Sequence, residues 1–114
     1  MNTRDKIVVL EHLPSRDSIA IIGTFDPLLR CHADRFRELR KDGFSVVALV
    51  VDSQAPLLPL QARLELVAAL KDVDFVAAYD GESKLHAQTI HDDRERHAEW
   101  SSHFIGLVQR RTQS

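Results

Sequence analysis

The chain has 114 residues, 44% of them hydrophobic and 28% charged, with a formal net charge of -2. That length suits one hydrophobic core and is short for two, and a slightly acidic balance without interleaved basic and aromatic residues argues against nucleic acid as a partner. The single cysteine, Cys31, leaves no internal disulfide framework, and no apolar run approaches the thickness of a bilayer, so a cytoplasmic protein away from membranes is expected.

Residues 1–17 read as an N-terminal arm in front of a single domain that takes up the rest of the chain. Lys6 to Leu10 (KIVVL) is β-prone, and Glu11 to Ser15 (EHLPS) stops it at once, which makes His12 a surface residue.

Ile19 to Ile22 is a β-branched apolar run that breaks at Gly23 and turns through Asp26 and Pro27. From Arg30 to Asp42 the spacing is helical, with Ala33, Phe36 and Leu39 on one stripe and Gly43 as a stop. A strand-to-helix junction of this kind leaves the first helical N–H groups without intrahelical partners, at the positive end of the helix dipole. It is a ready anion site. Gly23 permits close backbone or ligand approach, Asp26 is placed to accept hydrogen bonds from the turn, and His32 falls in the first helical turn.

Phe44 to Val51 (FSVVALVV) is an almost continuous apolar strand, the mark of a parallel strand covered on both faces. Asp52 and Ser53 follow at its carboxyl end, where open α/β sheets collect ligands. Gln54 to Pro59 is a proline-stiffened loop, and Leu60 to Lys71 is a second helix with Pro59 at its start. Its apolar positions go too far round the axis for one sheet-facing stripe, which points to a homodimer. Val73 to Tyr79 is a third strand and Asp80 to Glu82 its turn. Leu85, Ala87 and Ile90 leave room for a short strand within Ser83 to Asp93, and Glu95 to Arg111 is an amphipathic helix carrying Trp100, Phe104, Leu107 and Val108 on one face. This order predicts a Rossmann-like, doubly wound α/β domain, a parallel sheet between helices in three layers.

The run Gly23-Thr24-Phe25-Asp26-Pro27-Leu28 with His32 after it resembles the GxFDxxHxGH signature of the cytidylyltransferase-like nucleotidyltransferases, most of all the sugar-phosphate nucleotidyltransferase domains and glycerol-3-phosphate cytidylyltransferase. The likeness covers roughly Ile19 to Val76. It extends through LLPLQARLELVAALKDVDFV, where an Arg lies on a helix that leads into a "VD" strand entry. The resemblance implies a Rossmann-like sheet and a nucleoside triphosphate, CTP or ATP, bound with Mg2+ over the first strand–helix junction. It also implies transfer of CMP or AMP to a small phosphorylated acceptor, with release of pyrophosphate. Carried over residue by residue, it gives Gly23, Thr24, Phe25, Asp26, His32 and Arg63 nucleotide-binding roles and makes His32 catalytic.

Leu29 stands where the motif has its first His and Cys31 where it has Gly. No Lys occurs between Ser53 and Gln61, and the tail WSSHFIGLVQRRTQS lacks the family's ISTT-type motif. Two expectations therefore stand side by side, an active nucleotidyltransferase and a catalytically impaired nucleotide-binding or interaction module of the same fold. A flavodoxin-like or receiver-like module is a third. Taken alone, His32 also suits a plain helix start, Asp26 a plain turn and Arg63 a solvated helix charge. His86, His91, His97 and His103 include no i, i+4 pair, so no metal-ligating set is expected.

Overall fold

The computed structural model describes residues 3–53 and 56–112, with side chains described as far as Gln109. Gln54 and Ala55, the first two residues of the expected proline-stiffened loop, lie outside the described residues. Four strands form one parallel sheet: β1 (Ser18–Gly23), β2 (Ser45–Val51), β3 (Phe75–Tyr79) and β4 (Thr89–Asp92), in the order β3-β2-β1-β4. Three helices follow strands in the chain: α1 (Arg30–Leu39), α2 (Leu60–Ala68) and α3 (Arg94–Thr112). The small parallel α/β domain expected from the alternation of apolar runs and amphipathic segments is the fold observed.

The apolar runs are where parallel strands need them. All six residues of β1 and six of the seven in β2 are buried, and these two central strands pair from Ser18 with Ser45 through to Gly23 with Val50. β4 lies on the other side of β1, with Ile19 opposite Thr89 and Ile22 opposite Asp92. A short strand does occur within Ser83 to Asp93, but it is Thr89–Asp92 and includes only Ile90 of the residues that suggested it; Leu85 and Ala87 lie outside it.

Right-handed crossovers decide which face each connection covers. The moves from β1 to β2 and from β2 to β3 go the same way, so α1 and α2 share one face. Phe36 of α1 and Leu64, Val67 and Ala68 of α2 accordingly form one core with Ile21, Val46, Ala48, Val50 and Val76. The move from β3 to β4 goes back past β2 and β1, so that crossover must pass over the opposite face. It does so without a helix: Leu85 and Ala87, together with Leu10 and Leu13 of the arm, pack on Ala20, Ile22, Val47, Leu49, Val51 and Ala77. The winding reverses between β1 and β4, and the carboxyl ends of those strands form the switch point where such sheets bind ligands.

The arm departs from its β-prone reading. Thr3–Lys6 and Leu10–His12 form short 3-10 turns, and among the described residues of the arm only Ile7 bridges to the sheet, beside Val76. The first of these turns lies against α2, with Arg4 3.1 Å from Glu65 and Lys6 Nζ donating to the Leu70 carbonyl at 3.0 Å. The arm thereby covers part of the apolar excess of α2, and Leu66 stays 44% exposed. Among the described residues no helix is long and apolar enough to cross a membrane.

Candidate functional site

The site lies at the carboxyl end of β1. Gly23 ends the strand, and an added Cβ there would meet His97 of α3 at 2.0 Å from Cε1 and 2.1 Å from Nδ1. The glycine is needed for this close approach. Phe25, two residues on, has φ +48°, in the left-handed region that a bulky side chain rarely adopts and that costs of order 1–3 kcal/mol. Its ring is held by Phe36, stacked at 5.5 Å, and by His97 at 4.5 Å.

Asp26 is 6% exposed and joins two loops. Its carboxylate accepts from the Leu57 N–H at 2.8 Å and the Leu58 N–H at 2.9 Å, ahead of α2. Its carbonyl accepts from Ser101 Oγ of α3 at 2.7 Å.

Arg63 is also buried, at 1% exposure. Nε donates to the Leu58 carbonyl at 3.1 Å, one terminal nitrogen donates to the carbonyls of Thr24 and Val51 at 2.9 Å each, and the other reaches Asp52 at 3.4 Å. The guanidinium thus clamps the carboxyl ends of β1 and β2 to the loop before α2. Thr24 enters the site through its carbonyl, as an acceptor for Arg63.

His32 occupies the first turn of α1. Its Nδ1 accepts from the Leu29 N–H at 2.8 Å, and Leu29, as the N-cap, offers no side-chain acceptor of its own. The first-turn N–H groups of α1 therefore keep no side-chain cap. His97 does the same work on the other side, its Nδ1 accepting from the Phe25 N–H at 3.4 Å. The two imidazoles meet edge to face at 4.4 Å between centroids, and Trp100 closes over them at 5.0 Å from His32 and 5.4 Å from His97.

Both histidines are almost completely buried, and this decides their protonation. Desolvation pushes the pKa of His32 down to about 4. Desolvation, followed by the neighbouring His32, pushes His97 down to about 3. Each ring is neutral at pH 7, and a neutral imidazole carries one N–H. Since Nδ1 of each accepts a backbone N–H, that proton sits on Nε2 in each. Both Nε2 atoms are buried without a hydrogen-bond partner among the described residues. The site holds two buried donors with no acceptor among the described residues, which is unusual because buried polar groups are nearly always paired.

Asp93, 4% exposed, fixes the second wall. Its N–H extends the pairing to the Ile22 carbonyl at 2.8 Å. Its carboxylate takes Arg35 of α1 in a forked ion pair, Nε at 2.9 Å and a terminal nitrogen at 3.3 Å. The ion pair ties the starts of α1 and α3 together across the site. Cys31 is partly buried and free, and burial pushes its thiol pKa up, away from reactive thiolate.

The structure therefore brings together Gly23, Phe25 and His32 of the motif and adds His97, Asp93, Arg35 and Trp100. No local pattern singles out those four as partners of the motif, because His97 lies 72 residues from Phe25 and topology alone joins them. Among the described residues no group of three His, Cys, Asp or Glu could hold a metal ion. Of the carboxylates at this end of the sheet, Asp26 is committed to loop N–H groups, Asp93 to Arg35 and Asp92 to Arg94, and Asp52 faces Arg63 at 3.4 Å, so the residues present do not fit a resident Mg2+ site. No family model and no curated protein sequence matches the chain.

Proposed function

We propose that the chain is a nucleotidyltransferase-like protein that binds a nucleoside triphosphate, CTP or ATP, at the carboxyl end of β1. It would transfer the nucleotidyl group to a small phosphorylated acceptor in a cytoplasmic setting. The observation that carries this reading is the pair of buried, neutral Nε2–H donors of His32 and His97, unpartnered beside the start of α1. Phosphate oxygens are the acceptors such donors and open helix N–H groups suit.

In the transfer, an oxygen of the acceptor phosphate attacks the α-phosphorus, a new P–O bond forms, and the bond to the β-phosphate breaks as pyrophosphate leaves. The acceptor oxygen is already an anion, so the chain needs no base for it. What it supplies is position and hydrogen bonding to the charge on the phosphoryl oxygens. His32 and His97 donate from Nε2, α1 donates from its first N–H groups, and Arg63 and Asp26 hold the three surrounding loops in register. Mg2+ belongs to this scheme as part of the substrate, carried in on the triphosphate. Trp100 covers both imidazoles, so in this reading its indole turns aside for a phosphate to reach the two Nε2 atoms.

Binding without turnover is the second reading. It is favoured by Leu29, which cannot donate where the motif has a His, and by Arg63, whose guanidinium is taken up by backbone carbonyls. Calorimetric titration with CTP and with ATP in the presence of magnesium tests the site itself. Pyrophosphate release with a panel of sugar and polyol phosphates then separates turnover from binding. A homodimer through the exposed side of α2 around Leu66 belongs to the same reading, and a monomer by light scattering at micromolar concentration would remove it.

A further inference from the structure

Two aromatic rings touch both imidazoles of the site, and they differ in freedom. Phe25 is 1% exposed, has a left-handed backbone and is stacked on Phe36. Trp100 is half-buried, and its indole N–H makes no hydrogen bond among the described residues. The indole lies edge to face on His32 and stacked on His97, held by ring contacts and by no polar tether among those residues.

The helix that carries it is tied down on both sides. His97 Nδ1, three residues before, accepts from the Phe25 N–H, and Ser101 Oγ, one residue after, donates to the Asp26 carbonyl at 2.7 Å. Asp93 and Arg35 hold the helix start to α1. The backbone of α3 is therefore fixed where Trp100 leaves it, and the indole is the part free to move, by rotation about its own side-chain torsions.

Two opposing terms set where the ring rests. Stacking on two neutral imidazoles favours the inward position. Beneath it the Nε2–H groups of His32 and His97 have no acceptor among the described residues, and an unpaired buried donor carries a desolvation cost of the same order as a ring contact. The inward and outward positions are thus close in free energy, and the outward one is a populated minor state.

We propose that Trp100 is a gate on the nucleotide site, inhibitory when closed: its indole covers the two Nε2–H donors in the free protein and turns to solvent when they donate to phosphate oxygens. The gate presupposes the triphosphate site described above and adds a limit that the chain sets on its own affinity. A ligand that binds only the open protein loses affinity in proportion to the closed fraction, so a gate open in about one molecule in ten weakens binding about 10-fold.

Trp100 is the only tryptophan of the chain, so tryptophan emission reports it alone. With saturating CTP or ATP and magnesium, that emission should shift to the red and become more accessible to acrylamide. Emission and quenching unchanged by a triphosphate that calorimetry shows to bind would overturn the gate, and this measurement needs no variant. Trp100→Leu keeps an apolar side chain but cannot span both imidazoles, and it should bind the same triphosphate about 10-fold tighter than the wild type. In a His32→Ala background, where the closed position has lost one of its two ring contacts, the gain should be smaller; an equal gain there would show that Trp100 does not act on the pair. Equal or weaker binding by folded Trp100→Leu would overturn the gate and leave the triphosphate site standing. Binding by Trp100→Leu where the wild type shows none would support a gate held closed. No binding by either protein would overturn the triphosphate site, and the gate with it.

Discussion

The imidazole of His97 stands where a side chain on Gly23 would have to be, 2.0 Å from the position of its Cβ. The ring is buried between Phe25, His32 and Trp100 and cannot swing away at low cost. Gly23→Ala should therefore destabilise the protein by about 1–3 kcal/mol, the usual cost of overpacking a core. In a His97→Ala background the same change should cost less than half as much. Urea midpoints of the four proteins give the coupling directly, and additive effects would mean that α3 is not seated as described.

The buried histidines make a pH prediction with a definite sign. An unfolded histidine titrates near 6.5, whereas in the fold His32 is lowered to about 4 and His97 to about 3. The native state favours the neutral rings, so the stabilisation is complete above pH 6.5 and is lost as pH falls from there towards the two folded values. Between pH 6.5 and pH 5 each histidine should cost about 2 kcal/mol. Urea unfolding at pH 7 and pH 5 checks it, and a stability independent of pH over this range would show that the rings are not buried and neutral.

His32→Ala tests the donor role. The variant should fold, and its affinity for the triphosphate that the wild type binds should fall by about 10-fold or more, the worth of a hydrogen bond to a charged acceptor. Calorimetry of wild type and variant under one set of conditions gives the ratio. An unchanged affinity would count against the site as a whole.

Arg63 is predicted to matter for folding first. Its donors reach three backbone carbonyls and Asp52, so Arg63→Ala leaves buried carbonyls without partners and should cost on the order of 3 kcal/mol or more. Arg63→Lys should recover only part of this, because an ammonium cannot span the same fork. Denaturant unfolding of both variants distinguishes this clamp from a solvated helix charge, for which either change would be nearly neutral.

The sheet was legible in the sequence because burial on both faces writes long apolar runs, and Ile19 to Ile22 and Phe44 to Val51 are such runs. β4 was not, because as an edge strand it leaves Thr89, Ile90 and Asp92 exposed, so no apolar run marks it. Its place is set by pairing with β1. Lys6 to Leu10 misled for the opposite reason: Ile7 packs on the core and makes a single bridge to Val76, while Val9 is exposed, so the β-branched residues do not add a strand. The motif positions could be found from spacing within about ten residues. His97, read from the sequence as one of several scattered histidines, acquires meaning only through the reversal of winding that carries β4 and α3 back beside β1.

That reversal also fixes an order of events. β1 sits inside the sheet, yet one of its two edges is completed only by β4, which is made after β2 and β3. As the chain is synthesised, the first three strands can pair and collect α1 and α2 on one face, while the other edge of β1 stays open and His32 lacks its cover. Unpaired strand edges invite wrong partners. The arrival of β4 and α3 therefore does two things at once: it seals the exposed edge of β1 and closes the histidine pair. A chain cut before Thr89 would lack β4 and α3, so one edge of β1 would be unpaired and His32 would have neither His97 nor Trp100 beside it.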